Sequence, residues 1–469
     1  MTFRSVLLGL FGAAFVCGFT YFNDAVIRQT FFVGNHMPFS VYGGLVVFLL
    51  VGQPLLARVS KRLVLSSKEI AVILTLTLAS CCIPSSALLR IFTPTLILPH
   101  RFAKTDPAWE RTKIVSLAPA EMLADVSRNE NVVLDGFVLG LGEGDKHISP
   151  SRVPWYAWMR TFAFWIPLIV TFWVALIALA VVVHRQWSRH DLLPYPIATF
   201  ARSLLEPDPH DGISVFRKRA FWIGLFVILA VHANNYLYAW FPSRTFQIKT
   251  WLDLHPLASL FPNFNRGGGA ALLLWYNRIF PTAVAVAFFL PADVSFSAGI
   301  SPILFFTVSG VFARYGIPYG GGNYFQPNIS RFVNFGAFAG VFLVILYTGR
   351  HYYRCVLGRA VGLSGNTEAE PSSVWGMRVF LLAIAGFVLQ LSLVGLDWHV
   401  GLLFSLGAIV FFLVMGRVIA ETGIFFFQPQ WFPCVILTGL FGAQAIGLQN
   451  LIIVSLVAVL IVTDGRETL

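Results

Sequence analysis

Glu421 stands four residues after Arg417 in the run Gly416-Arg417-Val418-Ile419-Ala420-Glu421-Thr422-Gly423-Ile424, at the end of an apolar stretch that begins near Leu402. A carboxylate is costly in hydrocarbon surroundings, so something must compensate it. The i, i+4 spacing places Arg417 on the same helix face, within reach to do so. Two chemistries fit the pair. One is an ion pair that closes a helix end near a membrane interface. The other is a carboxylate that takes up a proton, a cation or a substrate ammonium, with Thr422 and Gly423 opening the helix so that backbone carbonyls join it. Phe425, Phe426, Phe427, Gln428 and Pro429 follow, as an apolar gate or as interfacial anchors.

Asn234 and Asn235 form a second polar interruption, with His232 before them and Tyr236 and Tyr238 after. Adjacent amides project to different sides of a helix, so one neighbouring helix cannot satisfy both. Either they bond between helices or they line a polar cavity. Asp24 and Asp293 are weaker candidates at the margins of apolar segments. His147, His184 and His190 lack HExxH or other metal spacing, and Gly320-Gly321-Gly322-Asn323 lacks the GxxxxGK[ST] pattern. Cys17, Cys81, Cys82, Cys355 and Cys434 are too few and too scattered for a disulfide framework or a zinc site. No metal, no cofactor and no enzyme activity is expected.

The elements that hold these residues follow from composition. The 469 residues are 57% hydrophobic and 12% charged, about half the charge of a soluble domain. The apolar residues fall in continuous blocks of bilayer-spanning length rather than in alternation, which excludes a membrane barrel. The fold expected is all-α and polytopic, one transmembrane domain over 1–469 with roughly 10–12 spans, some short or discontinuous. Spans are expected near 6–21, 41–56, 70–89, 161–183, 221–240, 279–290, 296–313, 332–347, 379–396, 402–419, 435–448 and 451–462. The pair 279–290 and 296–313 flanks Pro291 and reads as a hairpin or a broken helix. Gly267-Gly268-Gly269 marks a flexible loop.

The net charge is +11, and clusters of Lys and Arg stand in segments between spans, at 57–69, 184–219 and 349–375. Positive residues favour the cytoplasmic side, so these are read as cytoplasmic loops touching anionic lipid rather than as a nucleic-acid surface. Segment 99–156 is then external, and the N-terminus cytoplasmic.

One stretch beside the second basic cluster, Asp191-Leu192-Leu193-Pro194-Tyr195-Pro196-Ile197-Ala198-Thr199-Phe200-Ala201, is similar to the leucine-proline-tyrosine-proline motif of the oligopeptide transporter superfamily, which includes yellow-stripe-like metal-chelate carriers. Arg417 to Gly423 resembles that family's glutamate-threonine-glycine segment, and Asp464 to Thr468 falls where the family carries an aspartate-leucine-lysine-threonine-glycine stretch. The resemblance extends to an uncharacterised bacterial branch. Ile197 stands where the family has serine or glycine, and Gly465 and Arg466 replace leucine and lysine. Family members continue beyond this point, which implies a fragment, a split subunit or a truncated reading frame.

The resemblance implies secondary active transport of small peptides or peptide-like metal chelates by alternating access, driven by protons, in the plasma membrane. Glu421 would then couple the ion, with Arg417 and Thr422 beside it and Asn234 and Asn235 along the substrate path. Expected partners are the lipid bilayer, that substrate, and further copies or a second chain supplying missing helices; no nucleic acid is expected. The competing expectation is a non-transporting scaffold or subunit of a larger membrane complex.

Overall fold

The computed structural model describes residues 2–28, 31–33, 38–84, 88–141, 148–207, 209, 212–262, 264, 275–320, 325–363, 369–424 and 429–462. The chain is an all-α polytopic membrane protein. Among the described residues eight helices are long and apolar enough to cross a bilayer. Strand is confined there to two three-residue segments, β1 (Trp251–Asp253) and β2 (Tyr276–Arg278), paired antiparallel.

In chain order the helices are α1 (Phe3–Tyr21), α2 (Phe39–Val47), α3 (Gln53–Val59), α4 (Ser67–Ser80), α5 (Leu88–Thr105), α6 (Pro107–Thr112), α7 (Ile114–Leu117), α8 (Gly136–Leu139), α9 (Tyr156–Arg185) and α10 (Pro196–Leu205). They continue as α11 (Arg219–Trp240), α12 (Pro281–Phe289), α13 (Ala292–Arg314), α14 (Ile329–Thr348), α15 (Arg350–Val361), α16 (Pro371–Leu393), α17 (Trp398–Thr422), α18 (Pro433–Phe441), α19 (Ala443–Ile446) and α20 (Leu448–Val457). A wide helical turn joins α2 to α3, so residues 40–59 form one apolar span.

The elements differ from the sequence-based expectation where backbone chemistry outweighs hydrophobicity. The apolar block 70–89 is not one helix: α4, 14 residues long, ends at Ser80, and α5 begins at Leu88. The block 435–448 is broken into α18 and α19 because Gly442 and Gly447 take φ of +82° and +84°, while 451–462 lies in one helical stretch, Leu448–Val462. Side chains rarely tolerate that geometry, so a helix cannot run through it. The expected break at Pro291 is present, between α12 and α13.

Two groups of helices are packed together. In the larger, α9 lies along α16, and α17 packs against α14, α16 and α18. Trp165, Phe172, Phe387, Phe404, Phe411 and Trp431 are fully buried there. Lipid tails are as apolar as these side chains, so close contact and interhelical hydrogen bonds hold the group rather than water exclusion. At Gly376 a Cβ would come within 3.2 Å of the Ala178 carbonyl, which is backbone and cannot swing aside. Gln390 donates to Thr171 Oγ1 at 3.1 Å across the same interface. The segment 107–155 is tied to this group. Trp165 Nε1 donates to the Met122 carbonyl at 3.0 Å and Thr161 Oγ1 to that of Leu123 at 2.8 Å, while Met122, Val133 and Leu134 enter its core.

In the smaller group α1 packs along α4. Its polar end is held by Glu69, whose carboxylate accepts from Thr2 Oγ1 at 2.8 Å, Arg4 Nη2 at 3.1 Å and the Ser66 N–H at 3.0 Å. With Ser66 Oγ accepting from the Glu69 N–H, this is a reciprocal cap on α4. The Ser66 and Thr2 donors hold the Glu69 pKa down at about 2, against 4.5 for the free group. A depressed carboxylate stabilises the fold above its unfolded value and loses that contribution as pH falls through its folded value. Thermal midpoints in detergent should therefore fall as pH drops from about 4.5 to about 2, with a slope that Glu69→Gln flattens.

Candidate functional site

The C-terminal end of α17 leaves backbone carbonyls without helical partners, as every helix does. Gly423 ends the helix in the left-handed conformation, φ +65°, and its N–H returns to the Ile419 carbonyl at 2.8 Å. The Ala420 carbonyl is met from outside the helix, by the Tyr195 N–H at 3.0 Å. The Pro194-Tyr195-Pro196 segment is therefore docked on the end of α17, and a Cβ on Gly423 would lie 2.6 Å from that of Pro196.

The same docking assembles a charged group. After α9 the chain makes one more wide helical turn, and Gln186 Nε2 donates to Asp191 Oδ1 at 3.0 Å, fixing the carboxylate. Arg417 Nη1 donates to Asp191 Oδ2, and Arg417 Nε to Glu421 Oε2 at 3.2 Å. The guanidinium sits 5.5 Å from the ring centre of Trp187, a favourable placement for a cation. Side-chain exposure is 14% for Asp191, 19% for Arg417 and 48% for Glu421. One guanidinium thus serves two carboxylates. The carboxylate enclosed by protein is Asp191 rather than Glu421. Tyr195 closes the side of the group, its hydroxyl 3.3 Å from His184 Nδ1, and burial pushes its phenol pKa up.

Beside Asp191 lies a cavity of about 670 Å³, lined among others by Arg185, His190, His351, Tyr352 and Cys355. Arg185 is paired with Glu370, and the Tyr352 hydroxyl donates to the Val182 carbonyl at 3.0 Å. Burial raises the Tyr352 pKa. Among the described residues no three His, Cys, Asp or Glu side chains come together as metal ligands.

The expected site residues separate. Arg417 and Glu421 meet as their spacing predicts. The Thr422 hydroxyl donates to the Val418 carbonyl at 2.7 Å, so it serves the helix end. Asn234 and Asn235 do not join the group. Asn234 Nδ2 donates to the Phe246 carbonyl at 2.8 Å, and Asn235 exchanges two bonds of 2.9 Å with Ile248, so both amides fix the turn after their own helix. Asp24 accepts from the Phe32 N–H at 2.9 Å, and Asp293 sits in the first turn of α13, where an acid suits the helix dipole. His147, Gly267 to Gly269, Gly321 to Asn323, Phe425 to Gln428 and Asp464 to Thr468 lie outside the described residues.

Asp191, Trp187 and Tyr195 were not singled out as site residues. The available signal was Asp191 immediately ahead of the proline motif, but 226 residues separate it from Arg417. The segment carries a second mark: Leu192 and Tyr195 hold φ of +51° and +45°, which costs a bulky residue roughly 1–2 kcal/mol. Leu192 is mostly exposed, so Leu192→Asn, which accepts that conformation readily, should raise stability by about 1 kcal/mol in detergent unfolding.

A family model described as "Family of unknown function (DUF6785)" matches residues 1–469, and the chain belongs to that family. No curated protein and no solved structure matches it.

Proposed function

We propose that this DUF6785 protein is a secondary active carrier of small peptides or peptide-like metal chelates, working by alternating access and driven by protons. The observation that supports it is the sharing of Arg417 between Asp191 and Glu421. One guanidinium for two carboxylates leaves the group short of one positive charge, and Asp191 lines a polar cavity of about 670 Å³ at the end of a span, a place for a proton or cation.

In this reading Asp191 takes the coupling role that the sequence suggested for Glu421. Protonation of Asp191 neutralises one side of the Arg417 pair and weakens the hold of the loop on α17. Release of Tyr195 from the Ala420 carbonyl then frees the helix end, and return of the proton to water resets it. The basic segments favour the cytoplasmic side of the plasma membrane for this face. Resemblance supplies the substrate class, and the charge imbalance supplies the coupling step.

The test is uptake into proteoliposomes of labelled di- and tripeptides and of metal chelates, with and without a pH gradient. Gradient-driven accumulation is expected for the parent, loss of that accumulation with retained exchange for Asp191→Asn, and a smaller loss for Glu421→Gln. Accumulation by Asp191→Asn equal to the parent removes the coupling role. Absence of uptake across the panel favours the second reading, a scaffold subunit, which rests on α11: none of its 22 residues is buried, leaving a whole span for contact with another chain.

A further inference from the structure

A second cavity, of about 760 Å³, lies between the two helix groups, walled by α4, α9, α10 and α17. Its body is apolar. Leu74 and Leu78 face it from α4, Leu176 and Leu179 from α9, and Phe412 and Leu413 from α17. From Ser67 to Leu78 the α4 wall runs about 16 Å at roughly 1.5 Å per residue.

One end has a different character. Ser67 and Lys68 begin α4, Arg202 and Glu206 end α10, and all four line the cavity. These ends are pinned together, because Ser67 Oγ donates to the Leu205 carbonyl at 3.0 Å. Arg202 is paired with Glu206 at 2.7 Å. The neighbouring Glu69 is committed to Arg4. Among the described residues no carboxylate pairs with Lys68, which leaves the mouth with one uncompensated positive charge.

We infer that this cavity binds an anionic phospholipid of the surrounding bilayer, with an acyl chain in the apolar body and the phosphate on Lys68 and Arg202. The complementarity is of two kinds in one place: an apolar slot of acyl-chain depth, and a cationic rim at the end where a headgroup sits. A neutral zwitterionic lipid offers the chain but places its own cation against the rim. An inorganic anion offers the charge but leaves the slot empty. The site shares Trp187 and Tyr195 with the Asp191 group but differs from it in chemistry, and it holds whether or not the chain is a carrier.

The experiment uses full-length protein in detergent, titrated with phosphatidylglycerol, phosphatidylcholine or inorganic phosphate, and followed by native mass spectrometry and by thermal midpoint. Phosphatidylglycerol is expected to remain bound and to raise the midpoint more than phosphatidylcholine, with inorganic phosphate inert. Each rim cation removed should weaken phosphatidylglycerol binding about fivefold, so Lys68→Gln and Arg202→Gln singly lose part of the preference and the double variant abolishes it. Ala198→Trp, which fills the slot, should weaken both lipids and leave the rim charge unaltered. If the double variant is unstable, quenching of tryptophan emission by lipids brominated on the acyl chain tests the same point in otherwise native protein. Trp187 lines this cavity, so the part of the quenching lost in Trp187→Phe should be larger for phosphatidylglycerol. Equal binding of the two lipids, an unchanged preference in the double variant, or equal stabilisation by inorganic phosphate would overturn the assignment.

Discussion

Arg417→Met is expected to lower stability by about 3 kcal/mol, while the double variant Arg417→Met with Asp191→Leu returns to within about 1 kcal/mol of the parent. The asymmetry comes from where the charges sit. Asp191 has 14% side-chain exposure and Arg417 19%, so removal of the cation strands a carboxylate in a poorly hydrated place. Gln186 remains as a donor to it, which keeps the loss near the lower end for a broken enclosed pair. Removing both charges strands neither. Glu421 contributes little to this balance, because its carboxylate is 48% exposed and an exposed i, i+4 pair gives about 0.3–0.5 kcal/mol. Detergent unfolding of the four proteins of the cycle measures the coupling. A double variant no more stable than Arg417→Met would mean that the guanidinium acts mainly through its contact with Trp187.

Gly423→Ala should be as damaging, for a different reason. Its φ of +65° costs an alanine roughly 1–2 kcal/mol, and the added methyl meets Pro196 at 2.6 Å. Overpacking of this kind adds roughly 1–3 kcal/mol, giving about 3 kcal/mol in all. Gly362→Ala is the matching control. Gly362 also ends a helix in the left-handed conformation, φ +89°, but among the described residues no heavy atom lies within 4 Å of where its Cβ would be. It should lose the backbone part alone. A difference of about 1–2 kcal/mol between the two variants isolates the contact that seats the proline segment on α17. Equal losses would show that the segment yields without resistance.

Class and membrane residence could be read from hydrophobicity because the bilayer sets the same length requirement on every span. The span from Arg219 to Trp240 and the interruption at Pro291 were readable for that reason. The apolar block at 435–448 was not. Val435 begins a continuous apolar stretch, but Gly442 and Gly447 act through backbone torsions that an average of hydrophobicity ignores. The candidate site divides in a similar way. Arg417 and Glu421 share a helix face, so local spacing revealed their pairing. Asp191 meets Arg417 only because the chain after α9 folds back onto the end of α17, and no periodicity connects such distant positions. Asn234 and Asn235 show the converse. Their polarity was plain, but its use, bonding Phe246 and Ile248 just downstream, depends on how the chain turns after α11.

α11 crosses with all 22 residues unburied. Beyond its first turn only one side of it, at Val231, Asn234, Asn235 and Tyr238, is half-buried, and the two amides on that side set its rotation through Phe246 and Ile248. Substitutions that suit the hydrocarbon should be accepted on the remaining sides. Sequence drift along this helix would register an oily composition with a single narrow stripe held constant.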